Sequence, residues 1–164
     1  MELTPVKLNA VTLKKEFSWL FNALQVRIQL YFQQESEYKN IFDLEAPNLE
    51  NDNSIYAQTI RKFNMGLPER LVLLVALAPH IAPEILDLFF TKNKLYDRPY
   101  SAFGGLKGKK HSGFIPSGET AIFLLAGGDL HTRFVSTRLF DEGHFFNKFN
   151  ILDLSSDTEK ESRL

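Results

Sequence analysis

Residues 67–90 read LPERLVLLVALAPHIAPEILDLFF, and how this stretch is parsed decides the fold. Pro68 suits the first turn of a helix, because its missing N–H would have no partner there. From Glu69 the residues are apolar around most of a helical circumference up to Ala78, which predicts a central core helix over 69–78. Pro79 is expected to end it. Pro83 can open a second helix, with Ile85, Leu86, Phe89 and Phe90 on one face. Two helices joined by a short proline-containing turn form a helix-turn-helix-like pair.

Upstream, Leu13, Phe17, Leu20, Phe21, Leu24, Ile28 and Tyr31 recur at three- and four-residue steps. That spacing predicts a long helix over 12–34 with a stripe that must be covered, and it leaves Trp19 and Val26 off the stripe. Residues 35–53 break the period and carry Glu35, Glu37, Asp43, Glu45, Glu50 and Asp52 against Lys39 alone. They read as an acidic surface connection with a turn near 41–44. A further helix is expected over 53–65, with Tyr56, Ile60 and Phe63 on one face and Gly66 as terminator.

Downstream comes SAFGGLKGKKHSGFIPSGETAIFLLAGG, residues 101–128, which holds seven of the chain's nine glycines. Glycine at such density marks backbone that takes positive φ or approaches something closely. Helices are expected over 117–126, capped by Ser117, and over 129–140. The run HFFNKFNILDL, 144–154, alternates imperfectly and predicts a strand. The sum is a mainly α (α+β) chain with a winged-helix-like core and a small β element near the C-terminus. Its expected divisions are 1–52, a long helix with an acidic connection; 53–154, the winged-helix-like domain; and 155–164, a polar tail or linker.

Composition narrows the chemistry. With 164 residues, 44% of them hydrophobic, and 15 Phe, the chain can bury a substantial aromatic core. A formal charge of −1 gives no whole-molecule attraction to polyanions, and the lack of Cys removes disulfides, thiolate catalysis and Cys-type zinc sites. The first residues lack a signal-peptide core, and the longest apolar run is far short of a bilayer span, so a cytoplasmic protein with no membrane partner is expected.

Motif tests mostly exclude. A P-loop needs G-x-x-x-x-G-K-[ST], yet Gly108-Lys109 is followed by Lys110, and Phe103 stands where the first glycine should be. No hydrophobic strand precedes Gly104, Gly105 and Gly108, so a dinucleotide fingerprint is equally unsupported. His80, His111, His131 and His144 lack the spacing that puts two ligands on one helical face. A hydrolytic set from Ser112 or Ser117, His111 or His144, and Asp141 lacks a nucleophile elbow. No catalytic, cofactor or metal residues are therefore assigned.

Two binding readings remain. Residues 92–111 carry six Lys or Arg against Asp97, interleaved with Tyr96, Tyr100 and Phe103, a usable phosphate-facing patch. Lys107, Lys109, Lys110 and His111 also precede the 117–126 helix, whose N-terminus could assist an anion; a solvated basic loop is the plainer account. Yet SGETAIFLLA offers nothing beyond Glu119 and Thr120 with which to read bases, so the helix reads as buried. Exposed aromatics beside a flexible loop make effective protein-binding anchors. The candidate contact residues are Tyr100, Phe103, Lys107, Lys109, Lys110, His111 and Phe114.

Leu77-Ala78-Pro79-His80, then Leu86-Asp87-Leu88-Phe89-Phe90-Thr91-Lys92-Asn93, Phe103-Gly104-Gly105, His111-Ser112-Gly113-Phe114, Pro116-Ser117-Gly118-Glu119-Thr120 and His144-Phe145-Phe146 occur in succession. Together these resemble the N-terminal region of a family of bacterial AAA+ ATPases, over about 67–154. The resemblance implies an accessory winged-helix variant preceding a separate ATPase module in the same polypeptide. It implies ATP and magnesium for that module alone, since no P-loop, acidic metal motif, sensor or finger arginine has a counterpart in this chain. A non-catalytic domain that binds a client or adaptor protein for the motor is the expected function, and an excised piece of a longer protein the expected context. The alternative is a sequence-tolerant DNA-binding module using Lys92, Lys94, Arg98, Lys107, Lys109 and Lys110.

Overall fold

The computed structural model describes residues 4–106 and 112–154. It is mainly helical with a small antiparallel sheet: α1 (Pro5–Tyr31), α2 (Ile55–Lys62), α3 (Leu67–Ile81), β1 (Lys92–Asn93), β2 (Arg98–Pro99), α4 (Gly118–Ala126), α5 (Leu130–Thr137) and α6 (Phe145–Lys148). Short 3-10 helices occupy Ile41–Asp43, Pro83–Phe90, Ser101–Phe103 and Arg138–Phe140. The chain forms two compact units that divide inside α3, one up to Leu74 and one from Val75.

In the first unit, α1 begins seven residues before the apolar stripe suggests. Thr4 caps it, accepting the Lys7 N–H, and Pro5 occupies the first turn. Its buried face is Thr12, Glu16, Phe17, Trp19, Leu20, Ala23, Leu24 and Val26, so Trp19 and Val26 are core and Phe21 is partly exposed. Ser54 caps α2 through the Ala57 N–H. Asn64, at φ 48°, supplies the left-handed residue that ends α2, the role the sequence reading gives to Gly66. The acidic connection is tied down at Ile41, Leu44 and Leu49, all buried, and its expected turn is the 3-10 helix Ile41–Asp43, capped by Asn40.

These helices are registered by buried polar groups. The Tyr56 hydroxyl donates to Glu16 Oε2 (2.7 Å), and Arg70 pairs with the Glu16 carboxylate through Nε (3.2 Å) and Nη2. Arg70 Nη2 also donates to the Pro47 carbonyl (3.0 Å), and its guanidinium lies 4.9 Å from the Trp19 ring centroid. Burial, then the Glu16 charge, raises the Tyr56 phenol above the ordinary tyrosine range. Nearer the surface, Thr12 donates to Asp52 Oδ2 (2.6 Å), and Asn9 Oδ1 accepts the Tyr56 N–H (3.0 Å).

In α3, Leu71, Val72, Leu73, Leu74 and Val75 are all buried, as expected of a central helix. Pro79 lies inside α3 rather than at its end. It falls in the last turn, where the helix loses one intrahelical bond and runs two residues further. The axis then turns by 101° into Pro83–Phe90, which is 3-10 rather than α. None of the described helices is long and apolar enough to cross a membrane.

The second unit packs around phenylalanines. Phe103 lies 5.3 Å from Phe89 and 5.0 Å from Phe123, centroid to centroid, and Phe89 is 4.9 Å from Phe114. In α4, Gly118 and every residue from Thr120 to Ala126 are buried, so the helix considered for base reading is core. The strand expected over 144–154 is replaced by α6, capped by His144 Nδ1, which accepts the Phe146 N–H (3.1 Å). Phe145 and Phe149 are four apart, a helical interval, and Asn150 at φ 51° closes the turn. The sheet of β1 and β2 lies earlier in the chain, pairing Lys92 with Pro99 and Asn93 with Arg98.

Candidate functional site

The glycine-rich stretch shapes a cleft in the second unit. Phe103 to Gly105 is fastened to the start of α4: Gly105 N–H donates to Ser117 Oγ (3.0 Å), while Thr120 Oγ1 accepts the Ser117 N–H (3.0 Å) and donates to the Phe103 carbonyl (2.7 Å). Ser117 is thus the N-cap residue of α4, as its sequence context suggests. Gly104 and Gly105 have φ of 61° and 90°. A Cβ at Gly105 would stand 2.2 Å from the Phe114 ring, and one at Gly104 would stand 2.6 Å from Ser117 Oγ. Both glycines are therefore required by conformation and by space. Beyond them, the Leu106 N–H donates to the Ile115 carbonyl (2.8 Å) in an isolated antiparallel bridge.

The resulting cleft has a volume of about 610 Å³ and is lined by Phe89, Phe90, Lys92, Tyr100, Leu106 and Phe114. Its floor is the outer side of the aromatic core, since Phe90 meets Phe114 edge to face at 5.9 Å and Tyr100 meets Phe103 at 5.2 Å. Phe90 is 49% exposed, and on the adjoining hairpin Leu95 and Tyr96 are 79% and 63% exposed. The Arg98 guanidinium lies 5.8 Å from the Tyr96 ring, and Lys92 makes an outlying pair with Asp97 (3.8 Å), both side chains largely in water.

Of the residues singled out from sequence, Tyr100 and Phe114 line this cleft, Tyr100 half-buried and Phe114 buried. Phe103 does not: it is fully buried among Phe89, Tyr100 and Phe123 and is a core residue rather than an exposed anchor. Lys107, Lys109, Lys110 and His111 lie outside the described residues. Sequence reasoning missed Phe90 as a rim residue because its helical neighbours made it look like core. A signal existed in Phe89-Phe90 at a helix end, where two adjacent rings cannot share one narrow face.

A second cavity, about 640 Å³, runs beside α1 in the first unit and is lined mainly by amides and carboxylates, among them Asn22, Gln25, Gln29, Glu35 and Glu37. One aromatic ring, Tyr38, lines it, against Phe89, Phe90, Tyr100 and Phe114 in the first cleft. Among the described residues, no three His, Asp or Glu side chains are grouped to hold a metal ion. The chain matches no family model, no curated protein and no solved structure.

Proposed function

We propose that this chain is a non-catalytic, cytoplasmic recognition domain of a AAA+ ATPase, a winged-helix variant that binds a client or adaptor protein for the motor. The observation that carries the reading is the cleft between Phe90, Tyr100 and Phe114, in which part-exposed rings continue an aromatic core to the surface. Aromatic side chains anchored at one edge and open at the other make strong protein contacts, because little side-chain entropy is lost on binding. Nucleotide chemistry is assigned to the motor, which brings its own phosphate-binding loop, ATP and magnesium.

The test has two parts. The coding sequence downstream of Leu164 is expected to supply a P-loop and an acidic magnesium-binding motif, and an immediate stop codon would overturn attachment to a motor. In the joined polypeptide, Phe90→Ala is expected to leave basal ATP turnover unchanged while abolishing its response to the client. Equal loss of both would reject a recognition role for the cleft.

Nucleic-acid binding is the second reading, favoured by Arg98 stacked on Tyr96 beside Lys92. The burial of α4 limits it to backbone contacts without base reading.

A further inference from the structure

We infer that the occupant of the second-unit cleft is an extended, acidic peptide segment of a partner protein, packing one large apolar side chain against Phe90 and Phe114 and setting flanking carboxylates against Lys92. This rests on the protein-recognition reading and names the ligand class. A cleft of about 610 Å³ falls within the range of pockets that enclose small ligands, so it accommodates a few side chains rather than a folded element. Its floor of Phe89, Leu106 and Phe114 offers an apolar anchor site. Gly104 and Gly105 also line the cleft, the space at their Cβ positions being filled by Ser117 Oγ and the Phe114 ring.

Charge selects the flanks. Across 92–99, Lys92, Lys94 and Arg98 face a single acid, Asp97. The Lys92–Asp97 pair is long, at 3.8 Å, with Asp97 almost wholly in water, so a ligand carboxylate can replace it at little cost. Among the described lining residues Lys92 is the one cation, and a single charge beside a ring-lined floor suits an apolar anchor flanked by acids.

Fluorescence anisotropy on the whole chain provides the test, with four labelled probes: a short peptide with one Phe flanked by Glu, the same peptide with Gln for Glu, the same with Ala for Phe, and oligo-dT. The Phe/Glu peptide is expected to bind tightest. Losing its Phe should weaken binding about tenfold or more. Exchanging Glu for Gln should weaken it about three- to fivefold at low salt, a difference that fades as salt rises. Phe90→Ala, at a part-exposed position that leaves the core intact, should reproduce the loss of the peptide's Phe. Lys92→Gln should erase the Glu-over-Gln preference and nothing else, and Phe134→Ala, on the exposed face of α5, should change neither. Equal binding of the Glu and Gln peptides would overturn the acidic preference while leaving protein recognition standing. If no peptide binds but oligo-dT does, with steep salt dependence, both the inference and the recognition reading fall.

Discussion

Glu16 and Arg70 in the first unit, and Phe89, Phe103 and Phe123 in the second, occupy equivalent places at the centre of their cores and hold them by opposite physics. The first is directional: one carboxylate receives Tyr56 and Arg70, and the guanidinium continues to the Pro47 carbonyl, so α1, α2 and α3 fit in one register. The second is a stack of rings whose attraction tolerates several geometries. A directional core terminates within itself once its donors and acceptors are matched. An aromatic core can be extended outward ring by ring, through Phe114 to the part-exposed Phe90. This difference explains why the candidate cleft lies in the second unit.

The largest effects should distinguish the two cores. Arg70→Ala strands the Glu16 carboxylate and should cost about 3 to 5 kcal/mol in chemical denaturation. Phe103→Ala should cost a similar amount, about 3 to 5 kcal/mol, through a cavity. Second changes then separate them. Glu16→Leu combined with Arg70→Met and Tyr56→Phe should recover most of the first loss, since an apolar set of similar volume leaves neither a charge nor the Tyr56 hydroxyl without its partner. Phe103→Leu should recover part of the second by refilling volume. If Arg70→Ala costs under about 1 kcal/mol, the ion pair does not hold the first core, and the contrast fails.

Gly105→Ala comes next, at about 2 to 4 kcal/mol, because the methyl group meets the Phe114 ring and the backbone stays at φ 90°. Thermal melts would register this as a lower Tm. Unchanged stability would mean that Phe114 can rotate away, and the cleft floor would then be adaptable rather than fixed.

What could be read from sequence divides along the same line. The apolar run around Leu74 announces a buried helix because hydrophobic periodicity is a local property, and the Ser117 cap is legible for the same reason. Glu16 was not legible as core: an isolated glutamate on a helix normally faces water, and its partners stand 40 and 54 residues away. Phe103 was misplaced for the converse reason. Its neighbours are glycines and lysines that signal a surface loop, whereas its burial depends on Phe89 and Phe123, brought to it by tertiary packing. The 144–154 stretch shows how short periods mislead, since HFFNKF fits an imperfect alternation as well as one helical turn.

The smallest of these effects is the most specific to the directional core. Tyr56→Phe removes one hydrogen bond to a buried carboxylate and should cost about 1.5 to 3 kcal/mol near neutral pH. Its fuller signature lies in alkali. Burial and the Glu16 charge raise the Tyr56 pKa, so the folded protein keeps this proton after an unfolded tyrosine, at about 10, has lost its own. Above that pH the folded state binds more protons than the unfolded state, and stability falls as pH rises. The contribution is fully present below about pH 10 and is progressively lost above it. Urea midpoints taken at about pH 8 and again above about pH 10 should therefore converge for the parent chain and Tyr56→Phe, because the variant has no phenol at this position to protect. Parallel slopes would show that Tyr56 ionises as readily folded as unfolded, and the phenol would then not belong to the Glu16–Arg70 network that distinguishes the first core from the second.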